Sequence, residues 1–444
     1  MTAIHSIIIF AVLNCYAIME FADFSIFSVL FTVLGGLWFI VFNIFPSFKK
    51  QNSFKTKMLY GGTRILKVFF ATAILSVILL FLLIFLFDFA VKDIIINSVI
   101  VVCCEFVLFW NGIIRVYCTS AQLGIKWRVL GIIFGMIPVI HLILLIKIIS
   151  VTDREYKFEF GKRQLEDKRK EQKVCDTKYP ILLVHGVFFR DSNFFNYWGR
   201  IPETLISNGA KIYYGGQQSA ASVEESAREL TEKIRTIVND TGCGKVNIIA
   251  HSKGGLDSRY AISCLGADKY TASLTTVNTP HKGCQFAEYL LNKVPDSFRQ
   301  GVADKYNKAL KKLGDTDPDF LAAVNDLTAS SCRDLNEKCP DSPEVFYQSI
   351  GSKMKKAYNG QFPLNLSSMF VKMFDGANDG LVSEASMKWG EKFTFLEPSG
   401  NRGISHGDVI DLNRENIEGF DVREFYVGVV HDLKERLSLI HISE

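Results

Sequence analysis

Apolar residues are distributed in two different ways along this 444-residue chain. Through the first third they run almost uninterrupted. Val68 to Phe87 contains no charged residue, and at about 1.5 Å per residue a helix of that length spans a hydrocarbon core of roughly 30 Å. Phe24 to Phe48 repeats the pattern and is followed by Lys49 and Lys50, while Ile94 to Ile114 and Val129 to Ile146 are each bounded by Lys or Arg. Thr2 to Met19 is shorter, but it lacks the basic leader and the small-x-small cleavage site of a signal peptide, so it counts as a span. The expectation is an all-helical transmembrane bundle of about five helices over residues 1–148. Glu105 and His141 interrupt it, and ionisable groups at such depth are functional suspects. If their helices run antiparallel, the two differ in depth by roughly 9 Å, which disfavours a direct pair. Pro138 reads as a kink.

Residues 149–178 change character, with Lys, Arg, Asp and Glu closely interleaved in "DREYKFEFGKRQLEDKRKEQK". This predicts a linker, in the form of a solvated helix. From Tyr179 to about residue 441, short apolar runs alternate with amphipathic stretches. "YPILLVHGVFF" suits a buried parallel strand, and a helical stretch with Ile201, Leu205 and Ile206 follows, then the strand "AKIYYG". In "SVEESARELTEKIRTIVNDTG", Ser222 and Glu225 form a capping box and Gly242 marks the stop. "KVNIIA" and "SLTTVNTP" are further strands. Strand alternating with helix predicts an α/β domain, a mostly parallel sheet with helices on both faces.

Charge and cysteine narrow the function classes. A net charge of +4 implies no nucleic-acid partner. The ten cysteines show no CxxC pair, and only Cys332 and Cys339 are close enough in the chain for a local bridge, with two reduced thiols as the alternative. Lys49, Lys50, Lys55, Lys57, Arg64 and Lys67 cluster between the second and third spans, so that loop is expected in the cytoplasm. Alternation through five spans then puts the soluble domain outside the cytoplasm, in a multi-pass protein of a bacterial cell membrane. The basic linker opposes that assignment.

Candidate chemistry centres on "VNIIAHSKGGLDSRY", Val246 to Tyr260, where a strand stops at a small-x-Ser-x-Gly turn and a helix begins. A serine on such a turn is a strained, exposed nucleophile, and Ala250 and Gly254 keep the crowded neighbouring positions small. Ser252 needs a base followed back to a carboxylate. His406 sits between Gly403 and Gly407 in a loop, whereas His431 falls on a helix pattern, His441 in a tail, and His281 in "NTPHKG" shapes a strand-end loop. Asp379 and Asp375, both in "VKMFDGANDGLVS", are the two candidate acids. The backbone amides of Val187 and Lys253 are the candidate oxyanion donors. Gln285 to Leu321 forms an insertion with amphipathic pieces such as "FAEYLLNKV", a candidate lid.

Taken in order, "YPILLVHG", "AHSKGGLDSRY", "TTVNTPHKG", "NDGLVS" and "SHGDVIDL" resemble the bacterial triacylglycerol lipases of the α/β-hydrolase fold, over Tyr179 to Ser438. The resemblance implies Ser252, His406 and, through its Asn-Asp-Gly pattern, Asp379 as the catalytic set, with the Val187 and Lys253 amides as the oxyanion hole. It implies a lipid ester substrate and no cofactor for the chemistry. A structural calcium is frequent in that family; here Asp408 matches one ligand position and Asn365 stands in place of a carboxylate. The resulting expectation is a membrane-tethered serine lipase or esterase acting on acylglycerols or related lipid esters. The alternatives are an acyltransferase or thioesterase of the same fold, or a catalytically idle lipid sensor on a membrane bundle. The resemblance does not extend to the N-terminal spans.

Overall fold

The computed structural model describes residues 2–47, 53–87, 89–135, 137–187, 196–356 and 364–440, so Lys49, Lys50 and His441 lie outside the described residues. The chain forms two compact units, residues 1–165 and 166–444.

The first unit is helical: α1 (Thr2–Leu13), α2 (Cys15–Phe21), α3 (Ile26–Ile44), α4 (Phe54–Phe85), α5 (Val91–Thr119), α6 (Gly124–Ile133) and the start of α7 (Pro138–Arg169). Helices α3, α4 and α5 are long and apolar enough to cross a membrane. The Thr2 to Met19 stretch is not one straight span, because α1 and α2 meet at a 68° bend. Side chains hold the bend at Asn14. Its Nδ2 donates to the Phe10 carbonyl and to Ser76 Oγ, both at 3.0 Å, and Asn97 Nδ2 donates to its Oδ1 at 3.0 Å. Asn97 Oδ1 in turn accepts the Ala17 amide at 3.2 Å, satisfying a backbone group at the new helix start.

Val129 to Ile146, expected as a fifth span, is instead the tip of a helical hairpin. Helix α6 ends at Ile133, and α7 begins afresh at Pro138, a residue that a first helical turn accepts because its missing N–H would have no partner there. The arms touch: a methyl group placed on Gly131 would lie 3.4 Å from Ile148 Cδ1, and Lys147 Nζ sits 5.2 Å from the Trp127 ring centre. Helix α7 then follows α5 in the same direction. His141 meets Phe109 with ring centres 5.2 Å apart, Ile148 packs with Ile113 and Val116, and Glu155 accepts the Ala121 amide at 2.8 Å. Hydropathy alone had treated one apolar stretch as one crossing; a reversal of direction leaves no trace in it. The alternation that set the soluble domain outside the cytoplasm therefore lacks its last continuous helix. The parallel course also brings His141 to the level of Glu105, and both line one cavity of about 430 Å³.

The second unit is built on β1 (Ile181–Val184), β2 (Ile212–Tyr214), β3 (Val246–His251), β4 (Thr271–Val277), β5 (Phe346–Ser352) and β6 (Lys392–Leu396). They form one sheet in the order β2-β1-β3-β4-β5-β6, parallel throughout. Period-two alternation divides the core between two faces. Leu182, Val184 and Ile248 pack under α9 (Val223–Thr241) and α10 (Lys253–Cys264). Ile181, Leu183 and Ile249 pack under α8 (Ile201–Ser207) and α17 (Val422–Ile440). Between β4 and β5 lie α11 (Gln285–Lys293), α12 (Asp296–Lys312), α13 (Phe320–Asn325) and α14 (Ala329–Lys338), and α15 (Leu364–Asp375) and α16 (Glu384–Met387) follow β5. Helix α9 starts with the Ser222–Glu225 capping box and stops at Gly242, φ 65°. The chain steps outward from β1 to β2 and returns on the other side of β1 with β3. That reversal opens a crevice at the carboxyl ends of the strands, where ligands bind in such sheets.

Ten cysteines are free. Cys332 does not approach Cys339 as the sequence spacing allowed. It donates to the Pro280 and Asp326 carbonyls at 3.3 Å, and the neighbour of Cys339 is Cys264, Sγ to Sγ 3.0 Å.

Candidate active site

Ser252 joins β3 to α10 with φ 55° and ψ −131°, a conformation that costs a residue bearing a Cβ about 1–3 kcal/mol. Packing imposes it. A Cβ on Gly254 would strike the His185 carbonyl oxygen, one on Gly255 would strike Thr279 Oγ1, and one on Gly186 would come within 2.8 Å of Ser252 Cβ. Ala250 is wholly buried, and its methyl is accommodated in the core. The strand end is thus clamped from three sides, and Ser252 is half-buried at the crevice.

Between the two candidate acids the geometry is unequal. His406 Nδ1 donates to Asp379 Oδ2 at 2.6 Å, and Asp379 is fully buried. The other Asp379 oxygen accepts the Leu381 and Val382 amides at 2.9 and 2.8 Å, which fixes the orientation of the carboxylate. Asp375 serves elsewhere: it accepts the Gln285 and Phe286 amides at 3.3 and 3.2 Å, capping α11. With Nδ1 committed to Asp379, Nε2 of His406 is left as the basic nitrogen. His406 approaches the Ser252 turn through its ring contact with His251, centres 4.4 Å apart.

Lys253 opens α10, where first-turn amides have no intrahelical acceptor. Val187 follows Gly186 at the end of β1 and packs on Leu310 of α12, so the insertion covers this loop. The Lys253 side chain has a task separate from its backbone amide. Its ammonium is buried, 2.7 Å from Asp257 Oδ1 and 3.0 Å from Ser226 Oγ, and binds α10 to α9. Burial pushes Asp257 up to about 7, against the pull of Lys253.

Three residues absent from the expected site support it. His251 lies under His406, and burial, with a smaller electrostatic contribution from the neighbouring His406, holds it well below the usual imidazole range, hence neutral. Tyr197 accepts the Gly186 amide at 3.0 Å and donates to His251 Nδ1 at 2.6 Å, linking the β1 loop to the floor of the site. Asn278, at φ 46° after β4, donates to Asp379 Oδ2 at 2.6 Å and to Ser352 Oγ at 2.8 Å. "TTVNTP" contains that asparagine, and a polar residue closing a buried strand was the available signal. His281 shapes its loop, stacked on Trp389 and 2.9 Å from Thr276 Oγ1. His431 is exposed on α17.

The residues expected to hold calcium do not form a cage. Asp408 Oδ1 lies 3.0 Å from Arg402 Nη2 and Oδ2 accepts the Ser405 amide at 2.8 Å, so a guanidinium stands where a cation would be. Asn365 lies in the first turn of α15. Among the described residues no three His, Cys, Asp or Glu side chains converge on a metal position.

The insertion is only half of the apolar feature beside the site. Phe286 stacks on Phe370 of α15 with ring centres 5.6 Å apart, and Tyr289 meets Phe374 at 4.8 Å. Around this pairing Leu290, Met369 and Met373 are exposed, Met373 at 78 %.

A parallel sheet presenting a serine on a positive-φ strand–helix turn, beside a histidine–aspartate pair, defines the α/β-hydrolase class. In sequence the chain is similar to triacylglycerol lipases. It is 34 % identical over 178 residues to the triacylglycerol lipase of Pseudarthrobacter phenanthrenivorans, covering 37 % of this chain and 55 % of that one. It is likewise 34 % identical over 178 residues to that of Burkholderia plantarii, covering 37 % and 49 %. The chain thus spans about half the length of these relatives. Among solved structures, Staphylococcus hyicus lipase superposes with a TM-score of 0.45 at 18 % identity, over 60 % of this chain and 97 % of that one. No family model matches the chain.

Proposed function

We propose that the chain is a membrane-tethered serine hydrolase that cleaves carboxylic esters of lipids through an acyl-enzyme. The observation that carries this reading is the strained Ser252 turn at the carboxyl end of β3, with the His406–Asp379 hydrogen bond beside it. His406 Nε2 takes the proton of Ser252 Oγ as that oxygen attacks the ester carbonyl, and the Val187 and Lys253 amides hold the oxyanion. The imidazolium returns the proton to the departing alcohol. A water, deprotonated by the same nitrogen, then releases the carboxylic acid and regenerates Ser252. Asp379 holds the imidazole in the required tautomer throughout.

Two observations support a lipid rather than a small soluble ester. The α11–α15 pair exposes Leu290, Met369 and Met373 beside the site. The apolar windows of α3, α4 and α5 are only 17, 22 and 22 % buried within their own unit, so most of their surface needs an apolar solvent, which a bilayer supplies.

The test is labelling of the detergent-solubilised chain with a fluorophosphonate probe, followed by a panel of acylglycerols and other lipid esters. Labelling and hydrolysis lost together in Ser252→Ala are the expected result. An unlabelled wild-type serine would mark the domain as a lipid sensor, and acyl transfer to an added alcohol in preference to water would mark it as a transferase.

A further inference from the structure

The side of the membrane on which the hydrolase emerges follows from the helical unit. Helix α7 leaves that unit at the end where α4 begins and α5 finishes. Asp153 pairs with Lys67 of α4, Tyr156 stacks on Tyr60 of α4 with ring centres 4.3 Å apart, and Glu155 binds Ser120 and the Ala121 amide just past α5. The other end of the bundle is marked by Tyr16 donating to Asp93 at 2.8 Å and by Phe21 against Phe87. Helix α6 therefore dips from the first end toward the middle of α5, and α7 returns to the end from which α6 started.

Basic residues follow the same division. Lys55, Lys57, Arg64, Lys67, Arg115, Lys126, Arg128, Arg154 and Lys157 all belong to segments at the α7 exit. Among the described residues of the two connections at the opposite end, 20–26 and 85–93, Lys92 is the one Lys or Arg, with Glu20, Asp23 and Asp93. Lys and Arg excess marks the cytoplasmic side, and acidic residues weigh little in that rule. With the hairpin in place, Lys55, Lys57, Arg64 and Lys67 and the first basic residues of the linker, Arg154 and Lys157, lie at one end and no longer oppose each other.

We propose that the chain leaves the membrane on its cytoplasmic side and that the hydrolase takes its ester from the cytoplasmic leaflet. The sidedness stands on the helical unit alone, whereas the choice of leaflet as substrate pool rests on the ester-hydrolase reading above.

The experiment uses the full chain in cells and in sealed vesicles. A specific protease site inserted after Glu171 should resist external protease in intact cells and be cut once they are permeabilised. On the parent background, Lys92→Cys should gain labelling by a membrane-impermeant maleimide in intact cells, and Lys157→Cys only after permeabilisation. Cleavage in intact cells, or labelling in the reverse pattern, overturns the sidedness, and neither readout depends on catalysis. Lipid ester added to the outer leaflet should be hydrolysed by inside-out vesicles and not by right-side-out ones, with Ser252→Ala vesicles as the blank. Hydrolysis by right-side-out vesicles overturns the leaflet assignment; no hydrolysis in either, with the sidedness intact, overturns the ester-hydrolase reading instead.

Discussion

Asp379 and His406 are bonded to each other twice. The carboxylate accepts the imidazole Nδ1–H at 2.6 Å, and the Asp379 carbonyl accepts the His406 backbone amide at 2.9 Å. Two loops separated in sequence are thereby locked as one piece, so the imidazole has little freedom to turn away from the Ser252 turn.

This double bond predicts unequal effects for two neighbouring aspartates. Asp379→Asn should lower ester hydrolysis by about 10⁴-fold, through loss of the correct histidine tautomer. Ser252→Ala should lower it by roughly 10⁶-fold. Asp375→Asn should instead weaken the cap of α11, at about 1 kcal/mol, with turnover of a soluble ester little changed. Steady-state rates beside thermal melts separate the two outcomes; a larger rate loss in Asp375→Asn would reassign the acid.

The buried Lys253–Asp257 pair predicts a non-additive cycle. Removing one partner leaves a charge in the core, so Lys253→Met or Asp257→Leu alone should cost about 3–5 kcal/mol. The double variant should cost less than either single change, because no uncompensated charge remains. Denaturant unfolding of the four proteins measures the coupling, and simple additivity would show that the contact does not act as an ion pair.

Two buried histidines set an acid limit on stability. His251 and His281 are both held well below the ordinary imidazole value by burial, aided by His406 in one case and Arg259 in the other. In the unfolded chain each takes up a proton as pH falls below about 6.5, whereas the folded form resists protonation. Stability is therefore fully present above that pH and should decline by about 1.4 kcal/mol per unit for each histidine as pH drops through the window down to the folded values. Unfolding followed by tryptophan fluorescence from pH 8 to 5 tests this. His281→Gln should flatten the decline; an unchanged slope would acquit that residue.

The exposed α11–α15 face predicts a split between dispersed and membrane-borne substrates. Met369→Asp with Met373→Asp removes two apolar side chains, each contributing about 1.5–3 kcal/mol when buried against lipid. Hydrolysis of vesicle-borne ester should fall by roughly ten-fold or more, while a short soluble ester is turned over at the parent rate. Equal losses on both substrates would point to a folding defect.

What was legible in the sequence was whatever is local. The strand, turn and helix around Ser252 lie within fifteen residues, Val246 to Tyr260, and every step leaves a mark there: the apolar run, the small neighbours, the glycines. The choice between Asp375 and Asp379 is not local, since both follow the same apolar run; the residues alone left it open, the Asn-Asp-Gly resemblance favoured Asp379, and the fold brings that one to His406. His251 was in plain view within the motif, yet its role depends on Tyr197, 54 positions earlier. The apolar face of α15 went unread because Leu366, Met369 and Phe370 look like core residues until their exposure is known. The same blindness to direction turned the α6–α7 hairpin into a crossing.

The left-handed backbone at Ser252 means that the residue presenting the hydroxyl is also one the fold would gladly exchange. Glycine enters φ 55° without penalty, whereas alanine keeps the whole conformational cost of serine. Ser252→Gly should therefore melt above Ser252→Ala although both are inert, a difference of about 1 kcal/mol after the greater flexibility of unfolded glycine is counted. Selection for stability alone would erase this serine, and a thermostable variant raised without an activity screen is expected to lose the proposed nucleophile at this position.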